Sequence, residues 1–213
     1  MKKINLINLS IFIFLNNFVF LNLNAQIYNV IVTKVGESLV TSIDIENEIL
    51  TNLMLNKQEV TQENINNNKK YAIKNLINKK IKSNEINKYG IKDYSQKDLE
   101  NYIDSIAKKF NTNQNGLKKI FIQNNINFQS FEENYKVELL WNTLIFQLYR
   151  NQTNVNIVDV ENEVEKIKEG KSEEELKKIR ANILNIKKQE KLNLFSRSHF
   201  SNLESTIPIT FNE

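Results

Sequence analysis

The amino-acid sequence predicts a mainly α-helical protein with a small β-sheet, formed by an N-terminal hairpin and a C-terminal strand. One proline and four glycines in 213 residues are few for a many-stranded β fold. Apolar residues recur at helical spacing through most of the chain. Near the two ends, "VTKVGESLV" and "IPITF" alternate instead, which is typical of strands.

The predicted sheet begins with a strand from Tyr28 to Val35. Gly36 supplies a tight turn, and Ser38 to Val40 returns as a second strand. A single hairpin is marginally stable in water. We therefore expect the C-terminal strand, in which Pro208 indicates an edge position, to lie beside the first strand and bring the two ends of the domain together.

Capping residues and glycine breakers divide the region between these strands into seven predicted helices. Thr41, Thr61, Ser95 and Ser172 are suitable N-cap residues, and Ser172 begins a capping box. Glycine ends the second and sixth helices. The predicted helices cover about 42–55, 62–89, 96–110, 114–123, 127–150, 158–169 and 173 onwards, with a short extended piece at 155–157.

Residues 1–25 have the layout of a secretory signal peptide. Two lysines precede a run rich in Ile, Leu and Phe, and we expect cleavage after Ala25. The alternative is an uncleaved membrane anchor, which Asn16 and Asn17 disfavour because their amides would lie in hydrocarbon. The mature chain is then one domain, 26–213, with a helical part (26–169) and a C-terminal helix and strand (170–213).

The composition argues against most catalytic and metal sites. The absence of cysteine excludes disulfides, zinc–thiolate sites and cysteine nucleophiles. The one histidine, His199, has no second histidine to work with, so we expect a structural role and no enzyme activity. The net charge of +4 is dispersed, unlike that of a nucleic-acid binder. Two acidic clusters are expected to be solvated because their members point to different helix faces: Asp44, Glu46 and Glu48, and Glu161, Glu163 and Glu165.

The fifth predicted helix is unusually aromatic. It carries Phe128, Phe131, Tyr135, Trp141, Phe146 and Tyr149. Most of these rings are expected in the core, but a helix that is apolar on more than one side also presents a patch to a partner. Trp141, Phe146 and Tyr149 are the candidates for that patch.

The order of elements resembles that of the SurA-type periplasmic chaperones. The stretch "VTKVGESLVTSIDIENEI" is similar to the strand–turn–strand–helix with which that family begins. The likeness continues through "AIKNLINKKIKSNEINKYGIKDYSQKDLENYIDSIAKKFNTNQNGLKKIFIQNNINFQSFEENYKVELLW" and "VNIVDVENEVEKI", and it covers about 28–213. In the family, parvulin-type prolyl isomerase domains separate the last two helices, whereas here only Gly170-Lys171 lies between them.

This resemblance implies a chaperone core without isomerase activity. Parvulin sites use paired histidines, and this chain has one. The implied function is that of a periplasmic holdase that binds unfolded outer-membrane proteins without ATP, metal or any other cofactor. The alternative is an envelope subunit that binds one folded partner, such as the barrel-assembly machinery. Neither hypothesis involves nucleic acid or stable membrane insertion after signal cleavage.

Overall fold

A computed structural model describes residues 29–212 and confirms the mainly α-helical fold with its small sheet. The predicted signal segment, its cleavage site after Ala25 and Glu213 lie outside the described residues. A turn of 3₁₀-helix, Arg150–Gln152, follows the fifth helix. The elements in chain order are β1 (Ile31–Val35), β2 (Ser38–Thr41), α1 (Ser42–Leu55), α2 (Gln62–Lys88), α3 (Gln96–Lys109), α4 (Gln114–Gln123), α5 (Phe128–Tyr149), α6 (Ile157–Glu165), α7 (Glu173–Thr206) and β3 (Ile209–Phe211).

Each of these seven helices begins with a side chain that accepts a hydrogen bond from the first turn. Thr41, Thr61, Ser95 and Ser172 do so as predicted, and asparagines cap α4, α5 and α6. The predicted extended piece at 155–157 is one residue too long, since Asn156 is extended but Ile157 is already helical. The Asn156 side chain accepts from the Val158 N–H at 3.0 Å and so starts α6 at Ile157.

The sheet has the strand order β2-β1-β3, and both neighbours of β1 are antiparallel to it. Val35 pairs with Ile209 and Thr33 with Phe211, so the predicted contact between the two ends of the domain is confirmed. Gly36 has φ +57°, a conformation that side chains disfavour. Its N–H donates to the Pro208 carbonyl at 3.0 Å, so the hairpin turn also holds the C-terminal strand.

The buried side chains form three clusters. The first lies beneath the sheet against α1 and α2, the second joins α3, α4 and the start of α5, and the third centres on Trp141 and Leu144 of α5. No residue of α7 is fully buried, yet its Phe200 and Leu203 pack against both the first and the third cluster. The end of α7 therefore connects the sheet to the middle of the bundle.

None of the helices within residues 29–212 combines the length and the apolar character that a membrane span requires.

Deleting residues 205–213 should destabilise the fold. The deletion removes the half-buried Ile207 and Ile209 and exposes the edge of β1. We expect a loss of about 2–4 kcal/mol of unfolding free energy, or roughly 5–10 °C in the melting temperature by circular dichroism.

A shorter deletion is the matched control. Removing only residues 212–213 leaves β3 in place and takes away the two hydrogen bonds that Asn212 donates to β1. Its effect should be clearly smaller. Equal melting temperatures for the full-length chain and the 205–213 deletion would contradict the stabilising role of β3.

Candidate functional site

The three aromatic residues predicted to contact a partner do not form one surface patch. Trp141 is 2% exposed, and its indole N–H donates to the Ser196 hydroxyl on α7 at 2.8 Å. Phe146 is 49% exposed. Tyr149 is half-buried and stacks on Phe195 with 4.8 Å between ring centroids. The assignment of Trp141 to the surface is corrected, because α7 covers that side of α5.

His199 connects three helices through its two ring nitrogens. Nε2 lies 3.1 Å from a carboxylate oxygen of the buried Glu85 on α2, and Nδ1 lies 2.8 Å from the Tyr149 hydroxyl on α5. A carboxylate only accepts, so Nε2 is the donor to Glu85, and a ring that carries its single proton on Nε2 accepts from the phenol through Nδ1. Burial raises the pKa of Tyr149, with the nearby Tyr89 and Glu85 adding to the effect, so the phenol keeps the proton that it donates.

One acidic residue predicted to be solvated is buried instead. Glu48 of α1 accepts from the Lys79 ammonium group at 2.8 Å and from the side-chain amides of Asn75 and Asn134 at 3.3 Å each. Glu48 faces α2 and α5, where these three donors compensate for the lost hydration. It is therefore a structural charge between helices.

The other acidic cluster lies on the contact between α6 and α7. Glu161 accepts two hydrogen bonds from Arg180, at 2.6 and 3.0 Å, and Glu163 pairs with Lys187 at 2.6 Å. The bond from Arg180 lowers the pKa of Glu161. These half-exposed pairs hold α6 and α7 side by side. Because Glu161 and Glu163 bind different partners, the two carboxylates do not form a shared site.

Two apolar grooves lie on either side of the first half of α2, and they form the candidate site. The hairpin groove, about 480 Å³, runs between β1, α1 and α2. Its apolar lining consists of Val32, Ile45, Ile49, Leu50, Val60 and Ile65. The strand-edge groove, about 590 Å³, runs between α2 and β3 and is lined by Ile73, Ile77, Ile209 and Phe211. Asn66 and Lys69 belong to both grooves and form the ridge between them.

The grooves leave large apolar side chains in contact with water. Phe211 is 60% exposed at the strand-edge groove, and Val60 is 59% exposed at the hairpin groove. Their floors are the half-buried Ile65, Ile73 and Ile209, which pack on the first buried cluster. An apolar floor that packs on the core is a preformed surface for another apolar chain.

The strand-edge groove has a basic rim. Lys69, Lys70 and Lys74 are exposed along it, and Glu204 is its single acidic lining residue. None of these three lysines forms an ion pair with any residue of the described part of the chain. A bound chain with acidic groups near its ends would complement this rim.

The sequence predictions missed both grooves. The alternation of Lys69, Lys70 and Lys74 with Ile73 and its neighbours on α2 was the available signal. That pattern is also typical of an ordinary amphipathic helix. The pattern indicates a groove only because β3 lies across from α2, and the spacing of residues within α2 does not predict that contact.

No group of three or more His, Cys, Asp or Glu side chains within residues 29–212 could hold a metal ion.

No protein-family model matches the chain, and a search of curated proteins finds none similar to it in sequence.

Replacing His199 with alanine should destabilise the contact between α7 and the bundle. The change removes both ring hydrogen bonds and leaves Glu85 buried with Lys88, at 3.4 Å, as its remaining ionic partner. We expect a loss of about 2–3 kcal/mol for His199→Ala and about 1 kcal/mol for Tyr149→Phe, measured by urea denaturation. Tyr71→Phe, on an exposed tyrosine, is the control and should change nothing. Wild-type stability for both His199→Ala and Tyr149→Phe would show that the network contributes no stability.

Proposed function

We propose that this protein is an exported, ATP-independent chaperone of the SurA type that holds unfolded outer-membrane proteins in the periplasm and has no prolyl isomerase activity. The observation that carries the proposal is the pair of apolar grooves along α2, open to water above a floor that packs on the core. The SurA-like order of elements and the signal-like first 25 residues support it from the sequence.

The grooves suit a ligand that is defined by its apolar character and not by its sequence. Apolar contact is non-directional, so many unfolded chains bind the same surface with moderate affinity. Binding lowers the concentration of free unfolded chain and therefore slows aggregation, which depends steeply on that concentration. Release requires no energy source, because folding of the client removes the free chain from the equilibrium.

The client-binding surface in this proposal is the pair of grooves. Trp141 no longer belongs to it, since α7 covers the indole. Phe146 stays exposed on α5 and is a secondary contact at most, because its neighbour Tyr149 is engaged by Phe195 and His199. Most of the client contact is therefore expected along the first half of α2 and not on α5.

The first test is light scattering of a urea-unfolded outer-membrane porin after dilution, with and without residues 26–213 of this protein. We expect suppression of aggregation near stoichiometric amounts, without ATP. An absence of suppression would contradict the proposal. Recovery of one folded partner from envelope extract would then favour the alternative, a dedicated interaction subunit.

A matched pair of valine variants tests the groove itself. Val60→Asp places a charge at the hairpin groove, whereas Val158→Asp places the same charge on α6, away from both grooves. The two valines are 59% and 62% exposed, so neither change should affect folding. We expect Val60→Asp to require about fivefold more protein for the same suppression, through lost apolar contact. Equal activity of the two variants would exclude the hairpin groove from client binding.

A further inference from the structure

The outer edge of β3 has free backbone groups. The Gly36 N–H bonds to the Pro208 carbonyl and the Asn212 N–H to the Val32 carbonyl, so alternate residues from 208 to 212 face β1. In an antiparallel pair the residues between them point away from the partner. Ile209 and Phe211 therefore direct their N–H and C=O groups outward, and no other strand within residues 29–212 pairs with that edge.

This edge borders the strand-edge groove. Ile209 and Phe211 pair with Val35 and Thr33, whose side chains are fully buried beneath the sheet. Since paired residues point to the same face, the side chains of Ile209 and Phe211 extend that face outward, toward Ile73 and the rest of the groove. A fourth strand beside β3 would place every second side chain over the groove floor.

The charge of the rim identifies the kind of strand that fits. Two copies of this chain pairing edge to edge would bring together two sets of Lys69, Lys70 and Lys74, with one acidic lining residue on each side. Such like charges oppose dimerisation through this edge. A segment with acidic residues flanking alternating apolar ones would instead meet complementary charge.

We propose that the free edge of β3 binds an extended polypeptide segment as an added antiparallel or parallel strand, with alternate apolar side chains in the strand-edge groove and acidic residues at the lysine rim. This inference rests on the proposed function and specifies its ligand. Backbone hydrogen bonds make recognition tolerant of sequence, while the groove selects for residues that alternate as in a β-strand. Segments of β-barrel precursors have that alternation.

The probe is a fluorescent nine-residue peptide of alternating threonine and valine with a glutamate at each end, followed by fluorescence anisotropy. Phe211→Ala removes the ring but keeps the outward N–H, whereas Phe211→Pro removes both. Proline is tolerated where its missing N–H would face solvent on an edge strand. We expect Phe211→Pro to bind about tenfold more weakly than Phe211→Ala. Leu194→Ala, on an exposed leucine of α7, is the control and should bind as the wild type does.

Equal affinity of the proline and alanine variants would overturn strand addition. Sedimentation tests the choice of ligand. A wild-type dimer that becomes a monomer in the Phe211→Pro variant would overturn that choice, because the edge would then bind a second copy of this chain. Thermal melting reports whether Phe211→Pro is folded. Should that variant unfold, the charge test below decides the proposal.

Charge reversal supplies that second test. Lys70→Glu with Lys74→Glu should weaken binding of the glutamate-ended peptide about tenfold and strengthen binding of a lysine-ended peptide. The double variant Lys177→Glu and Lys188→Glu, on exposed lysines of α7, should change neither. Equal effects of the two double variants would contradict the role of the rim.

The porin assay separates failure of this inference from failure of the proposed function. Suppression of aggregation that is identical for Phe211→Pro, Phe211→Ala and the wild type, together with equal peptide affinities, would leave the chaperone proposal standing and reject the β3 edge. Edge-dependent peptide binding by a protein that does not slow aggregation would support the edge and reject the holdase.

Discussion

The pairing of β3 with β1 is the contact on which the rest of the structure depends. It joins strands from opposite ends of the described chain. Because α7 ends at Thr206, just before β3, this pairing fixes where the last turns of α7 lie. Phe200 then contacts two buried clusters, and His199 lies between α2 and α5. A long helix with no fully buried residue is in this way fixed at its C-terminal end, while the ion pairs of Arg180 and Lys187 hold its first half against α6.

The same pairing also creates the candidate site. β3 extends the sheet beside α2 but is three residues long, so the floor around Ile73 stays open to water. Covering that floor with a longer strand would bury more apolar area and stabilise the fold. An apolar surface left open next to an unpaired strand edge is also a site of aggregation unless charge protects it. The lysines of α2 provide that protection while still allowing an acidic chain to approach.

Local features of the sequence predicted the fold better than they predicted the surface. Helix starts depend on one or two side chains, so Thr61, Ser95 and Ser172 located them directly. The same local chemistry sets the start of α6: Asn156 is an extended cap residue, and Ile157, predicted as the last extended residue, is the first helical one. The burial of Trp141 and Glu48 depends on helices far away in sequence, and apolar spacing within their own helices does not distinguish those environments. The grooves were missed for that reason too.

The sheet has a consequence for the order in which the structure forms. The fully buried members of the second cluster all lie within residues 99–131, so their contacts with one another are local and form early. The sheet, by contrast, is complete only when Ile209 reaches β1. A chain that appears from its N-terminus at a ribosome therefore has a two-stranded hairpin until Ile209 has emerged, after all seven helices of the described chain. Closure of the sheet follows the helices for that reason, and it is set by topology and not by the rate at which the helices form.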